Sequence, residues 1–191
     1  MNEIIFRGIK LADAQQLAIL HLQSLQDGLL YDLGQKYTKL FYKIGLSSDN
    51  CFGYIAEKNG RIIGAAVSTK NSDVLFRKLL LNPRFLLGLL KKIFHLKKLY
   101  PSGGTKIPIK QEFILFFVDE KYRDLRTALR LMKLVDEEYG NLGYKKYSLE
   151  VKESNTAANL LYQRFGFIKT HEIGKDGNKR LFYEKLVGEH A

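Results

Sequence analysis

An α/β (α+β) domain, one mixed sheet with helices packed on it, is the fold class that the sequence predicts, and three observations predict it. CFGYIAEKNGRIIGAAVST, residues 51–69, sets two β-rich runs either side of Asn59-Gly60, the pair that suits a two-residue hairpin turn. EFILFFV, residues 112–118, is a continuous apolar run of strand length, the pattern of a strand buried on both faces. Segments of helical period lie before, between and after these runs, so helices and strands interleave along one chain.

Taken in order, IIFRGI (4–9) reads as the first strand. Asp13 followed by Gln16 has the spacing of a capping box and opens a helix over LADAQQLAILHLQSL (11–25). QKYTKLFYKIGL (35–46) is a second helix, followed by the hairpin and a basic insert. After the 112–118 strand, a helix runs from Leu125 to Leu142 with Leu125, Leu129, Met132 and Val135 as its apolar stripe. YSLEV (147–151) is a strand, and SNTAANLLYQRFGF (154–167) is a short helix stopped by Gly166. FIKTHEI and RLFYEK are closing strands joined at Lys175-Asp176-Gly177-Asn178.

The 191 residues fit one domain, read as 1–191 with a helical insert at 72–110. A composition of 46% hydrophobic and 27% charged residues excludes a disordered or fibrous chain. No apolar run approaches the ~20 residues that span a bilayer. Glu3 stands where a signal peptide wants positive charge, and a cytoplasmic location is expected. Cys51 is the single cysteine, so no internal disulfide forms, and it reads as a small hydrophobe. His21, His95, His171 and His190 lack metal-ligand spacing, so no metal is expected; His21 reads as a packed core histidine. The net charge of +11 draws anions, whether nucleic acid, acidic headgroups or phosphate-bearing small molecules.

The insert concentrates that charge. Residues 72–100 hold Arg77, Lys78, Arg84, Lys91, Lys92, Lys97 and Lys98 against Asp73 alone, more than half of the net charge. After Pro83 the pattern is amphipathic: Leu86, Leu89, Leu90, Ile93, Leu96 and Tyr100 fall on one side, while Arg84, Gly88, Lys91, Lys92, His95 and Lys98 fall on the other. Four roles fit residues 84–100: packing on the domain, a lid over the substrate end, a dimer or partner surface, or a helix lying on an anionic membrane.

Asn155, Ala158 and Tyr162 lie at i, i+3 and i+7 and project in one direction from a helix. LEVKESNTAANLLYQRFGF holds every fixed position of LxVxxxNxxAxxLYxxxGF, and so resembles the C-terminal motif of the GNAT superfamily of acyl-CoA-dependent N-acetyltransferases. VDEKYRDLRTALRLM resembles that superfamily's pyrophosphate loop, in its place between strand and helix. The resemblance covers 111–185 well and 1–70 weakly. It implies a mixed, mostly antiparallel central sheet flanked by helices, with the helical basic insert between the third and fourth strands.

The resemblance also implies the site. The loop pattern (Gln or Arg, two residues, Gly, one residue, Gly or Ala) maps onto Arg123, Asp124, Leu125, Arg126, Thr127 and Ala128, with Arg126 in place of the first glycine. Main-chain donors at the helix start would hold the pyrophosphate of acetyl-CoA, which any non-proline residue supplies. Phe116, Phe117 and Val118 would offer main-chain groups to pantetheine and the acetyl carbonyl. Asn155 would order the helix start or bond pantetheine, Ala158 would let the arm pass, and Tyr162 would protonate the departing thiolate. Glu150, twelve residues before Tyr162, has the spacing of the acid–base pair in ribosomal-protein N-terminal acetyltransferases and is the first candidate base. Glu112 is the second, acting directly or through water.

The expected activity is transfer of acetyl from acetyl-CoA to a primary amine by direct attack in a ternary complex. No motif activates Cys51 for an acyl-enzyme. The acceptor is a small amine, favoured when anionic. LGQKYTKLFY and the basic insert resemble GNAT members found with surface-polysaccharide enzymes, which implies an amino sugar or nucleotide-linked amino sugar. A protein N-terminus is the alternative acceptor. A non-catalytic module binding nucleic acid or acidic lipid through its basic face is the reading from another class. No base-reading motif is present, so nucleic acid is not the expected partner. Monomer and homodimer both remain open.

Overall fold

The computed structural model describes residues 3–99, 109–174 and 179–189, with the side chains of 92–99 left aside. In chain order the elements are β1 (Ile5–Gly8), α1 (Ala14–Ser24), α2 (Leu29–Leu33), α3 (Gln35–Leu46), β2 (Cys51–Lys58), β3 (Arg61–Thr69), α4 (Ser72–Leu81), α5 (Pro83–Leu99), β4 (Glu112–Val118), α6 (Leu125–Asn141), β5 (Lys146–Lys152), α7 (Thr156–Arg164), β6 (Ile168–Ile173) and β7 (Arg180–Leu186). The strands form one 7-stranded sheet in the order β1-β2-β3-β4-β5-β7-β6. Every pairing is antiparallel except β4 with β5, so the expected mixed, mostly antiparallel sheet is what forms.

The hairpin forms where Asn59-Gly60 predicts it, with φ of 54° and 73°, the left-handed pair that a tight turn between twisted strands requires. One core lies between the sheet and α6–α7, where Tyr139 stacks on Tyr147 at 4.4 Å and sends its hydroxyl to the Thr69 carbonyl at 3.0 Å. The other lies under α1, α3 and the insert, around Leu17, Tyr42, Ile55 and Leu75.

Four local expectations change. Asp13 does not cap α1: its carboxylate takes two hydrogen bonds from Arg7 (2.8 and 2.9 Å) and one from the Lys10 N–H (2.7 Å). Gln16 instead accepts from the Ile62 N–H at 3.1 Å, so both polar groups tie helix to sheet. The α6 stripe centres on Ala128, Leu131, Met132, Val135 and Tyr139, which leaves Leu125 exposed. In α5 the inward side carries Phe85, Gly88 and Leu89; Arg84 and Lys91 are exposed as expected, but Leu86 and Leu90 face solvent instead of sharing the buried side with Leu89. The short helix α2 was not expected, because five residues carry no readable period. The 175–178 turn and residues 100–108 of the insert lie outside the described residues, as do the side chains of Lys92, Ile93, His95, Leu96, Lys97 and Lys98.

Candidate active site

Strands β4 and β5 share a single register pair, Glu112 with Ser148, and diverge beyond it. Just past that pair β4 carries a bulge: Val67 faces Leu115 and Ser68 faces Phe113, with Ile114 skipped. A bulge bends its strand and sharpens the twist, which swings the end of β4 away from β5. On one side Phe116, Phe117 and Val118 stay paired with Ala66, Ala65 and Gly64. On the β5 side their main-chain edge has no strand partner. The result is a notch of about 580 Å³ running from that edge to the start of α6 and along α7.

Nine residues expected at the cofactor site line this notch: Phe116, Phe117, Val118, Arg123, Asp124, Leu125, Ala128, Asn155 and Ala158. Leu125, useless to the core, faces the notch instead. Ser24, Leu25, Leu160 and Arg164 also line it and were not foreseen, since they come from the ends and outer faces of α1 and α7. Arg126 and Thr127 are not among the lining residues; Arg126 is exposed and Thr127 is buried.

The start of α6 differs from the expected main-chain phosphate cradle. Asp124 is its N-cap, and its carboxylate accepts from the Thr127 N–H and Thr127 Oγ1, both at 2.8 Å. The Arg126 N–H also turns toward it. These bonds, the Thr127 N–H first, hold the Asp124 carboxyl below the usual carboxylate range. Upstream, the N–H groups of Tyr122, Arg123 and Asp124 bond to the carbonyls of Asp119, Glu120 and Tyr122 at 2.8, 3.3 and 2.9 Å. Arg123 and Arg164 are the cationic side chains among the residues that line the notch.

Asn155 caps α7, accepting from the Ala158 N–H at 3.2 Å, and Gly166 ends the helix at φ +95°, a conformation that costs little without a Cβ. Asn159, which sequence reasoning passed over, anchors the helix. Its amide donates to the carbonyls of Lys152 (3.0 Å) and Asn155 (2.8 Å), and its oxygen accepts from the Tyr183 hydroxyl at 3.0 Å. Tyr162 sits one layer behind the notch, edge-on to Phe113, Phe116 and Phe167 with ring centroids 6.3, 6.5 and 5.7 Å away. Its hydroxyl has no hydrogen-bond partner among the described residues. Burial pushes its pKa well above the ordinary tyrosine value, so the phenol keeps its proton at neutral pH.

The two candidate bases differ. Glu112 stands at the vertex where β4 and β5 part and is nearly buried. Loss of solvent pushes its carboxyl up to about 7, opposed by a hydrogen bond from Ser72 and by the charge of Arg180. Glu150 is half-buried and ion-paired with Arg180, which sits diagonally across on β7. Arg180 therefore lies between the two carboxylates, a partner that sequence spacing does not reveal. Elsewhere, His21 is buried with its Nδ1 2.8 Å from the Tyr42 hydroxyl, and burial lowers its pKa to about 4. Burial raises the Cys51 thiol, which disfavours a thiolate there. Among the described residues, no group of three or more His, Cys, Asp or Glu side chains could hold a metal ion, and no helix is long and apolar enough to cross a membrane.

A family model described as Acetyltransferase (GNAT) family matches residues 19–167. No curated protein matches the sequence. Among solved structures, the ribosomal-protein-S18-alanine N-acetyltransferase from Escherichia coli is similar at 13% identity and TM-score 0.63, covering 99% of this chain and 97% of that one. An acetyltransferase of the GNAT family from Streptococcus pneumoniae is similar at 21% identity and TM-score 0.62, over 97% and 100% of the two chains. A putative GNAT-family acetyltransferase from Bordetella pertussis is similar at 15% identity and TM-score 0.66, over 97% and 96%.

Proposed function

Because the chain belongs to the GNAT acetyltransferase family and is thus an acyl-CoA-dependent N-acetyltransferase, we propose that it moves acetyl from acetyl-CoA to a primary amine by direct attack in a ternary complex. The observation that carries this reading is the notch opened by the single β4–β5 register pair. Its unpartnered strand edge at Phe116–Val118 suits the amide groups of a pantetheine arm, which pairs with β4 as another strand would. Ala158 is small where that arm runs, and Leu125 offers it an apolar flank. The pyrophosphate lies toward Arg123 and Arg164, whose guanidinium groups supply charge-assisted hydrogen bonds. Asp124 opposes it, so cofactor affinity is set by side-chain cations more than by main-chain donors.

Acetyl transfer needs a neutral amine, a polarised carbonyl and a proton for the departing thiolate. Glu112, with a carboxyl near 7, is matched to take the ammonium proton, directly or through one water. Glu150 is ion-paired with Arg180, which makes it a group that orients that arginine. Tyr162, protonated at neutral pH, gives its proton to the sulfur as the thiolate departs. The attacking nitrogen loses its second proton as the intermediate collapses; solvent takes that proton and the one carried by Glu112 and returns one to Tyr162, so one proton is released per turnover. We take residues 1–191 as one acetyltransferase domain, in a cytoplasmic protein.

For the acceptor, the net charge of +11 and the cations at the notch favour an amine on an anionic molecule, such as a nucleotide-linked amino sugar. The twelve-residue Glu150–Tyr162 spacing and the likeness to the ribosomal-protein-S18-alanine N-acetyltransferase support a protein N-terminus as the second reading. Thiol release from acetyl-CoA with a panel of amino sugars, nucleotide-linked amino sugars and N-terminal peptides tests both. Turnover with none of these, combined with no thermal stabilisation by acetyl-CoA, would refute the proposal.

A further inference from the structure

The α4–α5 hairpin carries two apolar faces. Leu75, Leu79 and Phe85 are buried in the core beneath it. Gly88 lies so close to Tyr37 that a Cβ there would come within 2.2 Å of the ring, so the hairpin is seated tightly on α3. The second face is open. Phe76, Leu80, Leu81, Leu86, Leu87 and Leu90 are between 38% and 73% exposed. Six large apolar side chains within fifteen residues exceed the scattered exposure that soluble surfaces normally show.

Charge identifies the occupant. Arg77, Lys78, Arg84 and Lys91 are all exposed on the same hairpin. Its one acid, Asp73, is engaged by Lys110 at 2.7 Å. A second copy docking face to face would set these cations against their own counterparts, which costs energy in a two-fold contact. An anionic bilayer surface meets both features: aliphatic side chains enter the headgroup boundary while Arg and Lys reach lipid phosphates. We propose that the α4–α5 hairpin docks this protein onto anionic membrane surfaces, with Phe76, Leu80, Leu87 and Leu90 entering the interface and Arg77, Lys78, Arg84 and Lys91 binding headgroups.

The test is co-sedimentation of the full chain with vesicles of pure phosphatidylcholine and of phosphatidylcholine mixed with phosphatidylglycerol, at low and high salt. Binding is expected to the mixed vesicles alone and to fall as salt rises. Arg84→Ala and Lys91→Ala should each weaken it about fivefold. The double variant Leu87→Asp, Leu90→Asp should abolish it while keeping the wild-type melting temperature, because both side chains already face solvent. Absence of binding to mixed vesicles at low salt would overturn the proposal. So would binding untouched by these variants, or a dimer in sedimentation velocity that the double variant dissolves while vesicle binding is missing.

Discussion

Replacing Glu112 with glutamine separates the proposed chemistry from the fold, because the burial that would suit this carboxyl to act as a base also makes its charged form costly. Burial pushes its pKa up to about 7 from the ordinary carboxylate value of 4.5. About a tenth of the side chain is ionised at about pH 6 and about nine-tenths at about pH 8, so wild-type kcat/KM should climb about tenfold across that window. A carboxylate titrating at its ordinary value would leave the profile flat there. Glutamine keeps the shape and loses the base, and turnover should drop by about a hundredfold or more. Stability moves the other way. The unfolded chain gives up this proton near 4.5 while the fold holds it to about 7, so native stability contributed by the protonated form is present at low pH and lost as pH rises between them. The shift corresponds to about 3 kcal/mol as an upper bound, so at about pH 8 the Gln variant should melt several degrees above wild type. That gap should close as pH falls toward about 5. Initial rates by thiol release and melting curves across pH measure both. A flat wild-type profile with an active, unstabilised Gln variant would sink the assignment; the same loss of rate in Glu150→Gln alone would move the base to Glu150.

Tyr162→Phe keeps the ring contacts with Phe113 and Phe116 and removes only the proton donor, so kcat should fall about a hundredfold with acetyl-CoA affinity unchanged by titration calorimetry. Equal turnover would exclude its acid role. Asp124→Asn preserves a capping side chain and removes the anion at the notch, and should tighten acetyl-CoA binding several-fold at low salt; weaker binding would show that the carboxylate assists the loop. Lys185 is fully buried with its ammonium 3.1 Å from Asp136, so Lys185→Ala removes the counter-ion of a buried carboxylate and should cost about 3–5 kcal/mol in denaturant unfolding. A loss under about 1 kcal/mol would mean that water replaces the ammonium.

Short-range patterns in the sequence determined the sheet's building blocks and the α7 motif. The Asn59-Gly60 turn, the 35–46 helix and the 112–118 strand all form where turn chemistry and periodicity put them, because each depends on residues a few positions apart. Asn155 and Gly166 likewise cap their own helix. Only the tertiary structure decided the surroundings of the two candidate carboxylates. Arg180 reaches Glu150 from a strand thirty residues on, and Glu112 loses solvent because β3, β5 and α4 close around it. It also decided that Asp13 serves Arg7 rather than a helix end, and that Asp124 occupies donors expected to serve phosphate. A side chain with hydrogen-bonding capacity takes the partner that packing brings within about 3 Å, and packing is a property of the whole chain.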